Sequence, residues 1–312
     1  MRNAYISALH DLAKVNKQIL ALVADNGAIV YDKFRKDCPE QFLNFGLSEA
    51  NMVSVAAGLA SCGKIPFAYT ISNFITMRPF EQVRNDVCLQ QMNVKLVGIG
   101  AGFVYSNLGP THHSVEDIAL MRSLPQMTIF SPADPLEAKK VTFAAAEHRG
   151  PVYIRLSIGG SPNIYTNDYD FKLGCAVTLR EGKDISIIAT GGIIYEVLKA
   201  IEKLERLGIS VRLINIHTIK PIDKKAILQA AFETRAILTI EEHTIYGGLG
   251  SAVAEVVAEE VKTPICFKRL GLKGVFPSGY GSYDDMKEIN GLSQEDIVKE
   301  AKILVKSRKS LK

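Results

Sequence analysis

Phe45-Gly46-Leu47-Ser48-Glu49-Ala50-Asn51-Met52-Val53-Ser54-Val55-Ala56-Ala57-Gly58-Leu59-Ala60 decides how the rest of the chain is read. A carboxylate stands at the head of a helical run of small residues, directly after a short extended apolar stretch. Taken alone, a glutamate in a helix's first turn usually compensates the helix dipole. Its surroundings decide whether it does more. Outward from it, short apolar runs alternate with longer helical patterns. Candidate strands fall at 19–24, 65–69, 94–99, 127–130 and 152–156, and helical patterns at 49–62, 80–91, 115–123 and 135–148. Nearly continuous apolar strands alternating with helices predict a parallel sheet covered on both faces.

The alternation breaks at 157–171, a stretch rich in Gly, Ser, Pro, Asn and Tyr without periodicity, which reads as a linker. A second alternation follows, with strands at 185–190, 211–216, 236–240 and near 265–270. Helices are expected up to about 207, near 224–232, after Gly247-Gly248-Leu249-Gly250 and from Ser293 onward. Ser293-Gln294-Glu295-Asp296 has capping-box spacing, with Asp in place of the usual Glu or Gln. The fold class is α/β: two doubly wound domains with mostly parallel sheets, at 1–165 and 183–312, joined by a linker over 166–182. Both domains are of ordinary size.

Bulk properties exclude several classes. At 312 residues, 47% hydrophobic and 22% charged, the chain has the composition of a soluble globular protein. A net charge of +4 is too small to argue for nucleic acid, and the basic end Lys306–Lys312 reads as a solvated tail. No apolar run reaches the roughly 18 residues that span a bilayer, and the N-terminus lacks a signal-peptide core. The five cysteines are widely spaced and form no CxxC pair, which favours reduced thiols in a cytoplasm over disulfides or zinc.

Two further segments bear on Glu49. Tyr69-Thr70-Ile71-Ser72-Asn73-Phe74-Ile75-Thr76-Met77-Arg78-Pro79-Phe80-Glu81-Gln82-Val83 follows a strand and enters a helix. Gly109-Pro110-Thr111-His112-His113 is too rich in turn formers for a core strand, so its imidazoles belong on a loop. Adjacent histidines can ligate a metal, but no other ligand cluster supports one. Together with the Gly-x-x-Glu run ending at Glu49, these segments resemble the pyrimidine-binding half of a transketolase-type, thiamine diphosphate-dependent enzyme. The resemblance covers nearly the whole chain and is strongest over 41–156. The family's Gly-Asp-Gly and paired Asn, which hold Mg²⁺ and diphosphate, are absent from this sequence.

The resemblance implies roles. Glu49 would hydrogen-bond the pyrimidine N1′ and activate the cofactor, a task for a carboxyl able to share a proton. Burial favours the protonated form of such a group, and Phe45, Leu47, Met52 and Val53 offer apolar surroundings. Phe74 would stack on the pyrimidine, an arrangement worth about 0.5–1.5 kcal/mol beyond area burial. Arg78 or Met77 would take the neighbouring cofactor position. His112 would assist proton transfer and bind substrate hydroxyls, as suits an imidazole, with His113 in a weaker substrate role. His10, His148, His217 and His243 have no constellation around them. Three sugar-phosphate contacts of the family are replaced, by Gly100, Leu108 and Ile158, which puts pentose phosphate substrates in doubt. Arg155 is a candidate for a different anion contact, or else an ion pair within a strand. The Gly247–Gly250 turn matches no dinucleotide or phosphate-loop spacing and reads as packing.

The resulting expectation is the pyrimidine-binding subunit of a split transketolase. A separate N-terminal transketolase-type subunit would hold diphosphate and Mg²⁺, giving an α2β2 heterotetramer that moves a two-carbon ketol unit from a ketose to an aldehyde or ketone. A 2-oxo acid dehydrogenase E1 β-type subunit and a cofactor-free structural subunit are the alternatives.

Overall fold

A computed structural model describes residues 1–157 and 162–311 of the chain. Its strands are β1 (Ile19–Val23), β2 (Phe42–Asn44), β3 (Ile65–Ile71), β4 (Lys95–Ile99), β5 (Thr128–Phe130), β6 (Val152–Leu156), β7 (Val177–Arg180), β8 (Ile185–Ala189), β9 (Val211–Asn215), β10 (Thr218–Lys220), β11 (Ala236–Thr244) and β12 (Cys266–Leu272). Helices in the first half are α1 (Arg2–Val15), α2 (Asp32–Asp37), α3 (Glu49–Ser61), α4 (Ser72–Met77), α5 (Phe80–Gln82), α6 (Asp117–Ser123) and α7 (Pro135–Glu147). The second half carries α8 (Ile194–Arg206), α9 (Lys224–Thr234), α10 (Leu249–Glu260), α11 (Tyr283–Ile289) and α12 (Gln294–Arg308).

The first sheet runs β10-β5-β6-β4-β3-β1-β2 and the second β12-β11-β8-β9-β7. Every pairing is parallel except β10 with β5 and β7 with β9. Strand alternation shows why both faces are covered: Ile19, Ala21 and Val23 of β1 enter the core beneath α1 and α7, whereas Leu20 and Leu22 enter the core beneath α3. In β8, Ile185, Ile187 and Ala189 pack toward α8 and α12, and Ile188 toward α9 and α10. Two doubly wound, mostly parallel α/β domains are therefore present, as the alternation predicts.

Three departures have physical causes. β10 comes from the second half of the chain yet completes the first sheet, with Thr218 opposite Phe130, so the halves share a sheet. Within the expected linker, Val177–Arg180 forms β7; it is an edge strand with alternate residues exposed, so it presents no continuous apolar run. The helix expected over 80–91 is one turn of α5 followed by a π-helical segment, Val83–Cys88. Pro79, lacking an N–H, separates α4 from α5. The capping box at Ser293 forms as the spacing indicates.

Parallel register fixes where a site can lie. Val23 pairs with Tyr69 and Asn44, Ile71 with Ile99, and Ile99 with Leu156, so β2, β1, β3, β4 and β6 end at one sheet edge. Crevices outside the carboxyl ends of such strands are where α/β folds bind ligands.

Candidate active site

Glu49 is the first residue of α3, reached from β2 through a tight turn in which Gly46 has φ +68°, a conformation costly for other residues. The Ser48 hydroxyl donates back to the Phe45 carbonyl (2.7 Å) and does not cap the helix. Glu49 is 3% exposed. Met52 and Val53 are buried around it, but Leu47, expected to help shield it, is 76% exposed. Arg78 Nη1 donates to Glu49 Oε1 across 2.8 Å, and the arginine side chain is 47% exposed.

Phe74 lies on α4, one helical turn before Arg78, so the two side chains share a face. The Arg78 guanidinium carbon sits 3.7 Å from the centre of the Phe74 ring. His112 meets that ring edge-on, centroids 5.3 Å apart, and Tyr105 flanks His112 at 6.4 Å. Asn73 Nδ2 donates to the Thr111 carbonyl (2.6 Å), tying α4 to the histidine turn, and Thr111 Oγ1 lies 3.0 Å from His112 Nδ1. Glu49, Phe74, Arg78 and His112 are thus brought together from three separate segments. Met77 is exposed at the end of α4.

The remaining candidates fall elsewhere. His113 is buried, its Nε2 3.3 Å from the Ser106 carbonyl and its ring edge-on to Phe103, and burial holds its pKa below the usual imidazole value. Arg155, offered as an anion contact, is 3% exposed and pairs through Nε with Asp117 Oδ2 (2.8 Å), the ion-pair alternative. Its Nη2 also donates to the carbonyls of Ser114 (3.2 Å) and Glu242 (2.9 Å). Gly100 has φ +81°, and a Cβ there would stand 2.1 Å from the Tyr105 ring, so a tyrosine face lies over that backbone. Leu108 is exposed, and Ile158 lies outside the described residues. His10, His217 and His243 are buried and His148 half-buried. At the start of α10, Glu241 accepts from the Leu249 (2.6 Å) and Gly250 (2.8 Å) amides, so an internal carboxylate fills that helix end.

Sequence reading missed Tyr105 and Asn73. Tyr105 was legible only as an aromatic near a turn, and Asn73 as a neighbour of Phe74; their contacts depend on the approach of two distant segments.

Comparison with known proteins now decides the family. Residues 1–159 match the transketolase pyrimidine-binding domain and residues 174–297 the transketolase C-terminal domain. The chain belongs to the transketolase family. It is 38% identical to the 6-deoxy-6-sulfo-D-fructose transketolase subunit SqwH of Clostridium sp. (strain MSTE9), over 96% of this chain and 93% of that one. It is 36% identical to an apulose-4-phosphate transketolase subunit of Phocaeicola vulgatus, over 98% and 97% of the two chains. A solved structure described as a split gene transketolase, inactive beta4 tetramer, superposes with a TM-score of 0.91 at 40% identity, covering 98% of each chain.

This transketolase-family chain is accordingly a transferase-type enzyme chain. The pyrimidine end of thiamine diphosphate fits what it offers: a buried carboxylate at a helix head, an aromatic ring linked to it through Arg78 and an imidazole edge-on to that ring. Among the described residues, no group of three or more His, Cys, Asp or Glu side chains is arranged to hold a metal ion, and no helix is long and apolar enough to cross a membrane.

Proposed function

We propose that this chain is the pyrimidine-binding subunit of a two-chain transketolase that passes a two-carbon ketol unit from a ketose to an aldehyde or ketone. The observation that carries the reading is the convergence of Glu49, Phe74 and His112 at one sheet edge. When bound, thiamine diphosphate supplies the carbon nucleophile that carries the two-carbon unit. Glu49 shares a proton with the pyrimidine N1′, Phe74 packs on the ring, and His112 exchanges protons with substrate hydroxyls. A separate chain holds Mg²⁺ and diphosphate, in an α2β2 assembly working in the cytoplasm. Support for an assembled site comes from the sequence, which lacks the Gly-Asp-Gly and paired Asn that hold Mg²⁺ and diphosphate in the family, and from full-length relatives named as transketolase subunits.

Calorimetric titration of thiamine diphosphate with Mg²⁺ tests this, first on the chain alone and then on its mixture with a chain carrying Gly-Asp-Gly and paired Asn. Binding in the mixture alone is expected. Binding by this chain alone would refute the two-chain site, and no binding by a folded complex would leave a structural subunit. In the active complex, Glu49→Gln is expected to lower turnover at least about 100-fold, the loss typical of a removed proton-transfer group. Undiminished turnover would remove Glu49 from the mechanism.

A further inference from the structure

Arg78 occupies both groups that the reading above gives to the cofactor ring. Its guanidinium donates to Glu49 Oε1 from 2.8 Å and packs 3.7 Å from the centre of Phe74. A guanidinium is planar and cationic, with N–H donors along its edge and a face that packs on aromatic rings. An aminopyrimidine that shares a proton with a carboxylate offers the same face and the same edge. Resting on that reading, we propose that Arg78 is an internal surrogate for the pyrimidine. It pairs with Glu49 and covers Phe74 while the site is open, and it gives up both when the ring enters.

The need for a surrogate follows from burial. Glu49 is 3% exposed, and a buried carboxylate without a partner is strongly unfavourable. A chain that stores such a group for a cofactor held partly by another subunit must neutralise it in the meantime. The pair is built for release, because its side chains are unequally exposed: 47% for Arg78 and 3% for Glu49. The guanidinium has water to retreat into, whereas the carboxylate stays where the ring arrives. The Arg155–Asp117 pair is the contrast within the same fold. There the exposures are 3% and 0%, and neither partner has anywhere to go.

A different role for Arg78, as a direct contact to the bound cofactor, makes the opposite prediction for its removal. A competitor lowers apparent affinity by the fraction of sites it blocks, so deleting it tightens binding; deleting a contact loosens it. The test uses wild type, Arg78→Ala and Arg78→Gln, each assembled with the diphosphate-binding chain and titrated with thiamine diphosphate and Mg²⁺. Melting temperatures of the cofactor-free chains are measured alongside. Glutamine keeps a donor for Glu49 without the cation, and serves if the alanine variant does not fold. Expected are lower melting without cofactor and binding about five- to tenfold tighter than wild type. Unchanged or weaker binding by the folded variants would overturn the surrogate, as would a loaded complex in which Arg78 still pairs with Glu49. No binding by the wild-type assembly would instead sink the functional reading beneath it.

Discussion

Asp117→Asn should be among the most damaging single changes outside the Glu49, Phe74 and His112 cluster. Asp117 is fully buried, and its Oδ2 accepts from both Tyr153 Oη (2.7 Å) and Arg155 Nε (2.8 Å). Arg155 lies on β6, whose five residues are all buried, and its Nη2 reaches Ser114, just after the histidine turn, and Glu242 on β11 of the second sheet. The pair therefore braces the histidine turn against the second domain. Neutralising Asp117 leaves a guanidinium in the core without its counter-charge, for which about 4 kcal/mol of lost stability is expected. Against a total stability of roughly 5–15 kcal/mol this is a large fraction. In a chain of this size it corresponds to a fall in melting temperature of about 6 °C.

The control removes the charges together. Asp117→Leu with Arg155→Met and Tyr153→Phe removes the Asp117–Arg155 ion pair together with the hydroxyl bonded to it. It forfeits chiefly the hydrogen bond to the Glu242 carbonyl, for about 1–3 kcal/mol. Urea unfolding at neutral pH should therefore show the triple variant more stable than Asp117→Asn alone. If Asp117→Asn costs less than about 1 kcal/mol, or the triple variant loses the sum of its parts, the charge pair is not what holds this junction.

Gly100→Ala should destabilise the fold, since φ +81° disfavours a side chain by about 1–2 kcal/mol and the new Cβ would overlap the Tyr105 ring. Adding Tyr105→Ala should recover the steric part, read by thermal melting; equal losses with and without Tyr105 would show that the ring is not the obstacle. His217 is buried, and desolvation holds its pKa down to about 4 from 6.5. Between these values the unfolded chain binds the proton and the folded chain does not, so this contribution is present above pH 6.5 and lost as pH falls toward 4. Stability by urea unfolding should drop by about 2 kcal/mol between pH 7 and pH 5. His217→Asn should remove that share of the slope, and an unchanged slope would assign it to other groups.

The sequence showed clearly whatever rests on continuous apolar runs. β6 spans the expected residues because a fully buried strand imposes a nearly continuous apolar run, and α3 begins at Glu49, where small and apolar residues recur on its buried face. β7 and β10 were hidden for the opposite reason: both are edge strands, one with alternate residues exposed and the other three residues long and joined across the domain boundary. α4 was hidden by its polar and aromatic make-up and by the nearby Pro79. Residue identity pointed to Glu49, Phe74 and His112, but not to the aromatic and amide contacts that position them, since those join segments far apart in sequence.

The two arginines show where the boundary of inference lies. Arg155 interrupts the otherwise apolar run Val152-Tyr153-Ile154-Arg155-Leu156, and a charge in a strand buried on both faces demands a buried partner. The sequence leaves a strand ion pair and a ligand contact equally open, and the buried Asp117 carboxylate is the partner that makes Arg155 a strut. Arg78 carries a weaker signal of the same kind: it falls four residues after Phe74, so any helix there stacks guanidinium over ring. What no spacing reveals is that Glu49, 29 positions away, completes the trio. An open site still has to satisfy its own charges, and the side chain that does so for Glu49 is itself half in solvent. The exposure of the counter-ion, more than the distance between the charges, separates a pair that can exchange partners from one that holds two domains together.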